Sequence, residues 1–249
     1  MMIWLASLFA LVAFVYASVG FGGGSTYTAL LALWGVDYRL IPVIALICNM
    51  IVVIGGSIRF VRAGLVSWPQ VLPLLWISAP LAFVGGLVPL KQVVFLTILG
   101  GALLASAIAL LVQADKIAPR DISKPLLLSI SGGVGLLAGL SGIGGGIFMA
   151  PVLHLIRWAE PRRIAAFASL YILINSGAGL LGQILKSGTQ SLAAPAMQYG
   201  LLLGAVLVGG QLGSLFGMRY LSPHLLRVLT ALLVGYASLR LLWQAHGPF

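Results

Sequence analysis

The sequence is poor in everything from which a water-facing surface is built. Of its 249 residues only 7% are charged, and 61% are apolar. The remainder cannot coat a soluble domain, so the composition predicts an integral membrane protein whose first partner is the lipid bilayer. One cysteine, Cys48, excludes an intrachain disulfide and any cysteine-rich metal site. The three histidines, His154, His224 and His246, fall at segment ends or in loops and HExxH is absent, so no metal and no cofactor is implied. Four acidic residues face fourteen Lys and Arg. Asp37 and Glu160 sit at segment ends and Asp115 and Asp121 in a central linker, leaving no carboxylate within an apolar run. The excess positive charge lies in short loops, where it orients helices against the cytoplasmic leaflet rather than binding nucleic acid. The first apolar run, from Ile3 to Trp34, has no basic segment before it, so it is expected to stay in the mature chain.

Apolar runs and glycine are abundant. Eight runs cover roughly residues 3–34, 40–58, 68–90, 92–112, 126–156, 164–185, 197–218 and 225–243. Two glycine clusters, GFGGGS at 20–25 and GIGGG at 142–146, occupy corresponding places 122 positions apart, and Gly55 matches Gly177 at that offset. Arg62 and Gly64 match Lys186 and Gly188, and Val84, Gly85 and Gly86 match Val208, Gly209 and Gly210, at an offset of 124. This agreement predicts an internal duplication: a first repeat over 1–113, the charged linker ADKIAPRDISK at 114–124, and a second repeat over 125–249.

The first run of each half is longer than the ~20 residues one crossing needs. If all eight runs cross, the basic residues divide evenly between the two faces. If 3–34 and 126–156 are instead re-entrant hairpins with the glycines at their tips, one face collects Arg59, Arg62, Lys116, Arg120, Lys124, Arg157, Arg162, Arg163, Arg219 and Arg227. The other keeps only Arg39, Lys91, Lys186 and Arg240. That bias follows the positive-inside rule. The expected fold is therefore all-α: two inverted repeats, each a glycine-tipped hairpin plus three transmembrane helices, with both termini external.

Non-helical backbone at membrane depth must line a cavity or be buried in protein. The returning half-helices are expected to begin near Ser25 and Ile147 and to aim free N–H groups at the midplane, which makes an anion site of backbone. Its candidate residues are Gly22, Gly23, Gly24, Ser25 and Thr26 in the first tip, and Ser141, Gly144, Gly145 and Gly146 in the second. Asn49, Tyr171 and Asn175, mid-run polar groups, are candidates for the cavity wall. The bland alternative is close packing for the glycines and interhelical hydrogen bonds, averaging about 0.6 kcal/mol, for the amides.

With these motifs, the eight-run length and EPRRIAAFASL at 160–170, the chain resembles the sulfite exporter TauE/SafE family. The second-half AEPRRIAAFASLY is replaced in the first half by DYRLIPVIALICN. The resemblance implies a carrier of a small sulfur-containing anion in the bacterial inner membrane, and a homodimer is compatible with it. Lacking an intramembrane carboxylate, the chain is expected to export its anion down the membrane potential. An anion channel shares the same site chemistry. An intramembrane serine protease, suggested by GLSG at 139–142, lacks the mid-helix histidine it would need.

Overall fold

The computed structural model describes residues 2–18, 20–111, 122–187, 190–216 and 223–246. Most of the 114–124 linker lies outside them. The described residues form ten α-helices and no strands: α1 (Met2–Ser18), α2 (Gly24–Leu33), α3 (Ile41–Arg62), α4 (Trp68–Leu87), α5 (Gln92–Leu111), α6 (Lys124–Ser141), α7 (Gly146–Leu155), α8 (Pro161–Ser187), α9 (Gln190–Phe216) and α10 (Pro223–His246). Proline opens several of them, in the first turn of α3, α4 and α6 and as the first residue of α8 and α10. A missing N–H costs nothing there. Five helices are long and apolar enough to cross a bilayer: α3, α4, α6, and the described parts of α5 and α8. Large apolar side chains such as Trp4, Trp76 and Trp243 stand more than two-thirds exposed, as a lipid-facing surface requires. The chain is a multi-pass α-helical membrane protein.

The two long first runs are each broken at their glycines. α1 and α6 have 17 and 18 residues, whereas α2 and α7 have 10 each. At 1.5 Å per residue the short helices reach about 15 Å, half a hydrocarbon core. The first break folds the chain back on α1: Phe9 stacks on Tyr27 with ring centroids 4.8 Å apart, and the Tyr16 and Thr26 hydroxyls lie 3.0 Å apart.

Small residues set the helix pairing. A Cβ on Gly209 or Gly213 of α9 would strike the carbonyl of Ala10 or Phe14 on α1, and one on Gly135 or Gly139 of α6 would strike that of Ser78 or Ala82 on α4. These registers rise together, so α1 runs parallel to α9 and α6 parallel to α4. α3 is parallel to α9 as well, with Gly210 against Val52 and the Arg59 guanidinium donating to Ser214. α8 is parallel to α4, with Gly182 against Phe83 and Lys186 Nζ donating to the Val88 carbonyl. It follows that α1 and α3 point the same way, and likewise α6 and α8. An intervening segment must therefore reverse the chain, and α2 and α7 do so. α3 and α8 cross antiparallel through the centre, and toward one end of the crossing the Ser57 and Ser169 hydroxyls lie 2.8 Å apart. α5 and α10 pair antiparallel at the side, with Ser238 Oγ donating to the Gly100 carbonyl.

Gly85 and Gly86 serve this packing too, against Leu136 on α6 and Gly179 on α8. Replacing Gly139 or Gly213 by valine drives a branched side chain into a facing backbone, at a cost of about 1–3 kcal/mol. Both variants should lose several degrees of apparent melting temperature in detergent. Gly101→Ala, at a position with nothing within 4 Å of an added Cβ, should melt like the parent.

Candidate functional site

The two breaks interleave at the middle of the molecule. Gly20 and Gly142 share a left-handed backbone, with φ 83° and 80°. So do Gly23 and Gly145, the residues just before α2 and α7, with φ 79° and 80°. Only glycine adopts such values cheaply. Gly144 is also left-handed, at φ 82°, whereas its counterpart Gly22 is not. The first amides bonded after each cap, Thr26 and Phe148, donate to the carbonyls of Gly23 and Gly145. Gly24, Ser25, Gly146 and Ile147 stand at the starts of α2 and α7, where a helix supplies no acceptor for its own N–H groups.

The tips pass each other rather than meeting end to end. A Cβ on Gly20 would sit 3.3 Å from both the Phe60 ring and Ala165, near the last turn of α3 and the first of α8. One on Gly142 would sit 2.6 Å from Pro42 Cα, near the opposite end of α3. Between these extremes the tips touch, since a Cβ on Gly24 would strike the Ile143 carbonyl.

Asn49 of α3 stands at that crossing. It is fully buried, and its Nδ2 donates to the Gly142 carbonyl at 3.3 Å. Its Oδ1 has no partner and lies 2.7 Å from a Cβ built on Gly22, while Nδ2 lies 2.5 Å and 2.7 Å from those built on Gly24 and Gly144. One amide therefore touches both tips. From the other side, on α8, Ile172 Cγ2 lies 3.0 Å and 3.2 Å from the same constructed Cβ positions on Gly22 and Gly144. Ser176, one turn along, is buried with an unpartnered hydroxyl 3.2 Å from the Gly144 position. An unpaired buried amide oxygen and hydroxyl beside glycine N–H groups form a small polar centre walled by an isoleucine.

The remaining candidates divide. Ser25 and Thr26 are buried, and Thr26 is engaged with Tyr16. Ser141 Oγ donates to the Leu137 carbonyl at 2.6 Å and lies 3.4 Å from the Ile143 N–H, so it braces the turn. Tyr171 backs Gly145 with its ring, but its hydroxyl donates to the Ser131 carbonyl at 2.7 Å. Asn175 is buried with Nδ2 donating to its own helix, at the Tyr171 carbonyl, and its Oδ1 is unpartnered like that of Asn49, but it is not among the side chains nearest any tip glycine. Ile172 and Ser176 are the residues that sequence reasoning missed. They lie four apart on one helical face, one position off the face chosen from Tyr171 and Asn175.

Comparison with known proteins places the chain in a family. The family model described as "Sulfite exporter TauE/SafE" matches residues 5–241. A Sinorhizobium fredii protein named "Probable membrane transporter protein y4hK" is 36% identical over 247 residues, which is 97% of this chain and 98% of that one. A Haemophilus influenzae "Probable membrane transporter protein" is 30% identical over 113 residues, covering 43% of this chain and 41% of its own. No solved structure matches. By a match over nearly its whole length, this chain is a membrane transporter of the TauE/SafE family.

Proposed function

We propose that the protein exports a small sulfur-containing oxyanion or organosulfonate across the bacterial inner membrane, binding it where the glycine tips cross. The observation that carries this reading is Asn49, a buried amide that touches both glycine turns, its unpartnered Oδ1 beside Gly22 and its Nδ2 beside Gly24 and Gly144. An unsatisfied buried polar group is costly unless something visits it. The amide offers the N–H not given to the Gly142 carbonyl, the glycine turns offer backbone N–H groups without a Cβ in the way, and Ser176 adds a hydroxyl. Protonated on an oxygen, sulfite would also satisfy Oδ1.

Two inverted repeats, 1–113 and 125–249 joined by the 114–124 linker, account for the helix directions. Reversal at α2 and α7 leaves three crossings per half, so the second half enters from the opposite face. With the termini external, every parallel and antiparallel pair of the fold has the direction that the positive-inside distribution demands. Cysteine-accessibility mapping should label positions 116 and 160 from the cytoplasmic side and position 91 from outside. An even distribution would contradict the inverted arrangement.

The tips give the sharpest mutational test. Gly24→Val collides with Ile143 and Asn49, and Gly144→Val with Asn49 and Ile172. Both should abolish sulfite binding while the protein still inserts. Asn49→Leu, close in volume, should cut binding about tenfold or more through the lost amide contacts. Binding measured calorimetrically at parental strength in all three would return the glycines to a packing role.

Export follows from the charges. Of the acidic residues, the described Asp37 and Glu160 are exposed, so neither is a buried coupling group. A potential negative inside favours anion exit by about 2.3 kcal/mol per charge per 100 mV. In proteoliposomes, sulfite efflux should quicken under an anion-expelling potassium-diffusion potential and, with internal pH and sulfite held constant, be indifferent to external pH. Flux that required a proton or sodium gradient would overturn the uniport mechanism, and single-channel currents would make the protein a channel.

A further inference from the structure

A cavity of about 210 Å³ opens beside the second tip, on the face that carries Arg39 and Lys186. Among the described residues its wall contains both of these cations, the Tyr38 ring and the Gln183 amide, and no carboxylate. Its floor includes Leu140 and Pro42. These floor residues belong to the site's own framework. Leu140 immediately precedes the Ser141–Gly142 turn, Pro42 backs Gly142, and Gln183 Nε2 donates to the Gly139 carbonyl at 3.2 Å. At the other extreme of the interleaved tips, Gly20 is instead covered by Phe60 and Ala165.

The cations are arranged for an anion rather than for each other. Arg39 is exposed, and its Nε donates to the Tyr38 hydroxyl at 3.2 Å while the guanidinium stands 5.5 Å from that ring's centroid. Asp37 is occupied nearby, accepting from the Arg39 backbone N–H at 2.9 Å. The hydrogen bond to Tyr38, with the fields of Tyr38 and Asp37, pushes the guanidinium further above its already basic range, so its charge is fixed at every relevant pH. Lys186 Nζ reaches only a backbone acceptor, the Val88 carbonyl at 3.4 Å. Two cations in one concavity focus potential on its interior.

We propose that this cavity is a second anion site, a vestibule holding a small sulfonate or sulfur oxyanion between Arg39 and Lys186 next to the second glycine tip. This rests on the transporter reading above and gives it an external antechamber. The anion passing the Gly142 turn meets charge on the far side, which lowers the barrier for leaving the buried centre. Each cation is reachable by solvent, so the held anion can still exchange.

The test is made independent of transport. Val88→Cys is introduced at the cavity wall in a Cys48→Ala background, and full-length protein in phosphatidylcholine nanodiscs is labelled with two methanethiosulfonates of similar size. One carries a sulfonate, the other a trimethylammonium. The sulfonate reagent should react faster, and the ratio of rates should fall about tenfold in Arg39→Gln/Lys186→Gln. It should persist in Arg39→Lys/Lys186→Arg, a charge-conserving pair that controls for misfolding. Millimolar methanesulfonate should slow labelling only where the cations remain. A ratio indifferent to neutralisation, with no protection by methanesulfonate, overturns the site. Protection by phosphatidylglycerol nanodiscs but not by methanesulfonate overturns it as well, assigning the cations to a lipid headgroup. Sulfite efflux measured on the same variants separates the two claims. Absent efflux with intact vestibule labelling refutes sulfite as the cargo and leaves the vestibule standing, whereas parental efflux with no charge-dependent labelling does the reverse.

Discussion

A peptide group in hydrocarbon must find a hydrogen-bond partner or be hidden. Breaking two helices in the middle of a membrane violates that rule unless the rest of the molecule is arranged around the breaks. The remaining packing can be read as the response. α3 and α8 cross at the centre and present Asn49 and Ile172 to both turns, α1 and α6 bury themselves along α9 and α4, and the outer helices close the sides. The glycine-to-carbonyl contacts of these pairs bring backbones close enough that little space is left beside the irregular segments. Dispersion and close approach supply the adhesion that the hydrophobic effect cannot supply in lipid.

Interleaving gives that arrangement a further property. Because Gly20 reaches toward one end of α3 and Gly142 toward the other, each turn extends past the crossing point and rests against the ends of the central helices. A shift of α3 would therefore bear on both turns at once. The Ser57 and Ser169 hydroxyls, 2.8 Å apart, join these two helices near the Gly20 end, while the cavity at the Gly142 end remains open. The two extremes of the interleaved turns are unequal, one covered by side chains and one beside an open cavity.

The helix breaks were legible in the sequence because glycine has few other reasons to cluster twice at one spacing. The starts of α2 and α7, at Gly24 and Gly146, fall within a residue of where the clusters suggested. Packing glycines were legible in part: Gly85 and Gly209 form part of a repeated signature, but nothing in a linear string distinguishes a glycine facing a carbonyl from one facing lipid, as Gly101 does. The polar centre was half visible. Asn49 announced itself as an amide within an apolar run, whereas Ile172 is one apolar residue among many and becomes notable only through its contacts. Asn175, equally conspicuous in sequence, turned out to bond its own helix, since rotation of one residue on a helix carries a side chain by about 100°.

The opposition of Asn49 and Ile172 has a consequence for how such a centre could arise. Two identical half-length chains related by a dyad would have to place the same side chain on both sides of the crossing, two amides or two isoleucines. A polar wall facing an apolar one requires halves that differ in sequence at this point, as these do. The crossing therefore has a distinguishable left and right, an amide on one side and an isoleucine on the other.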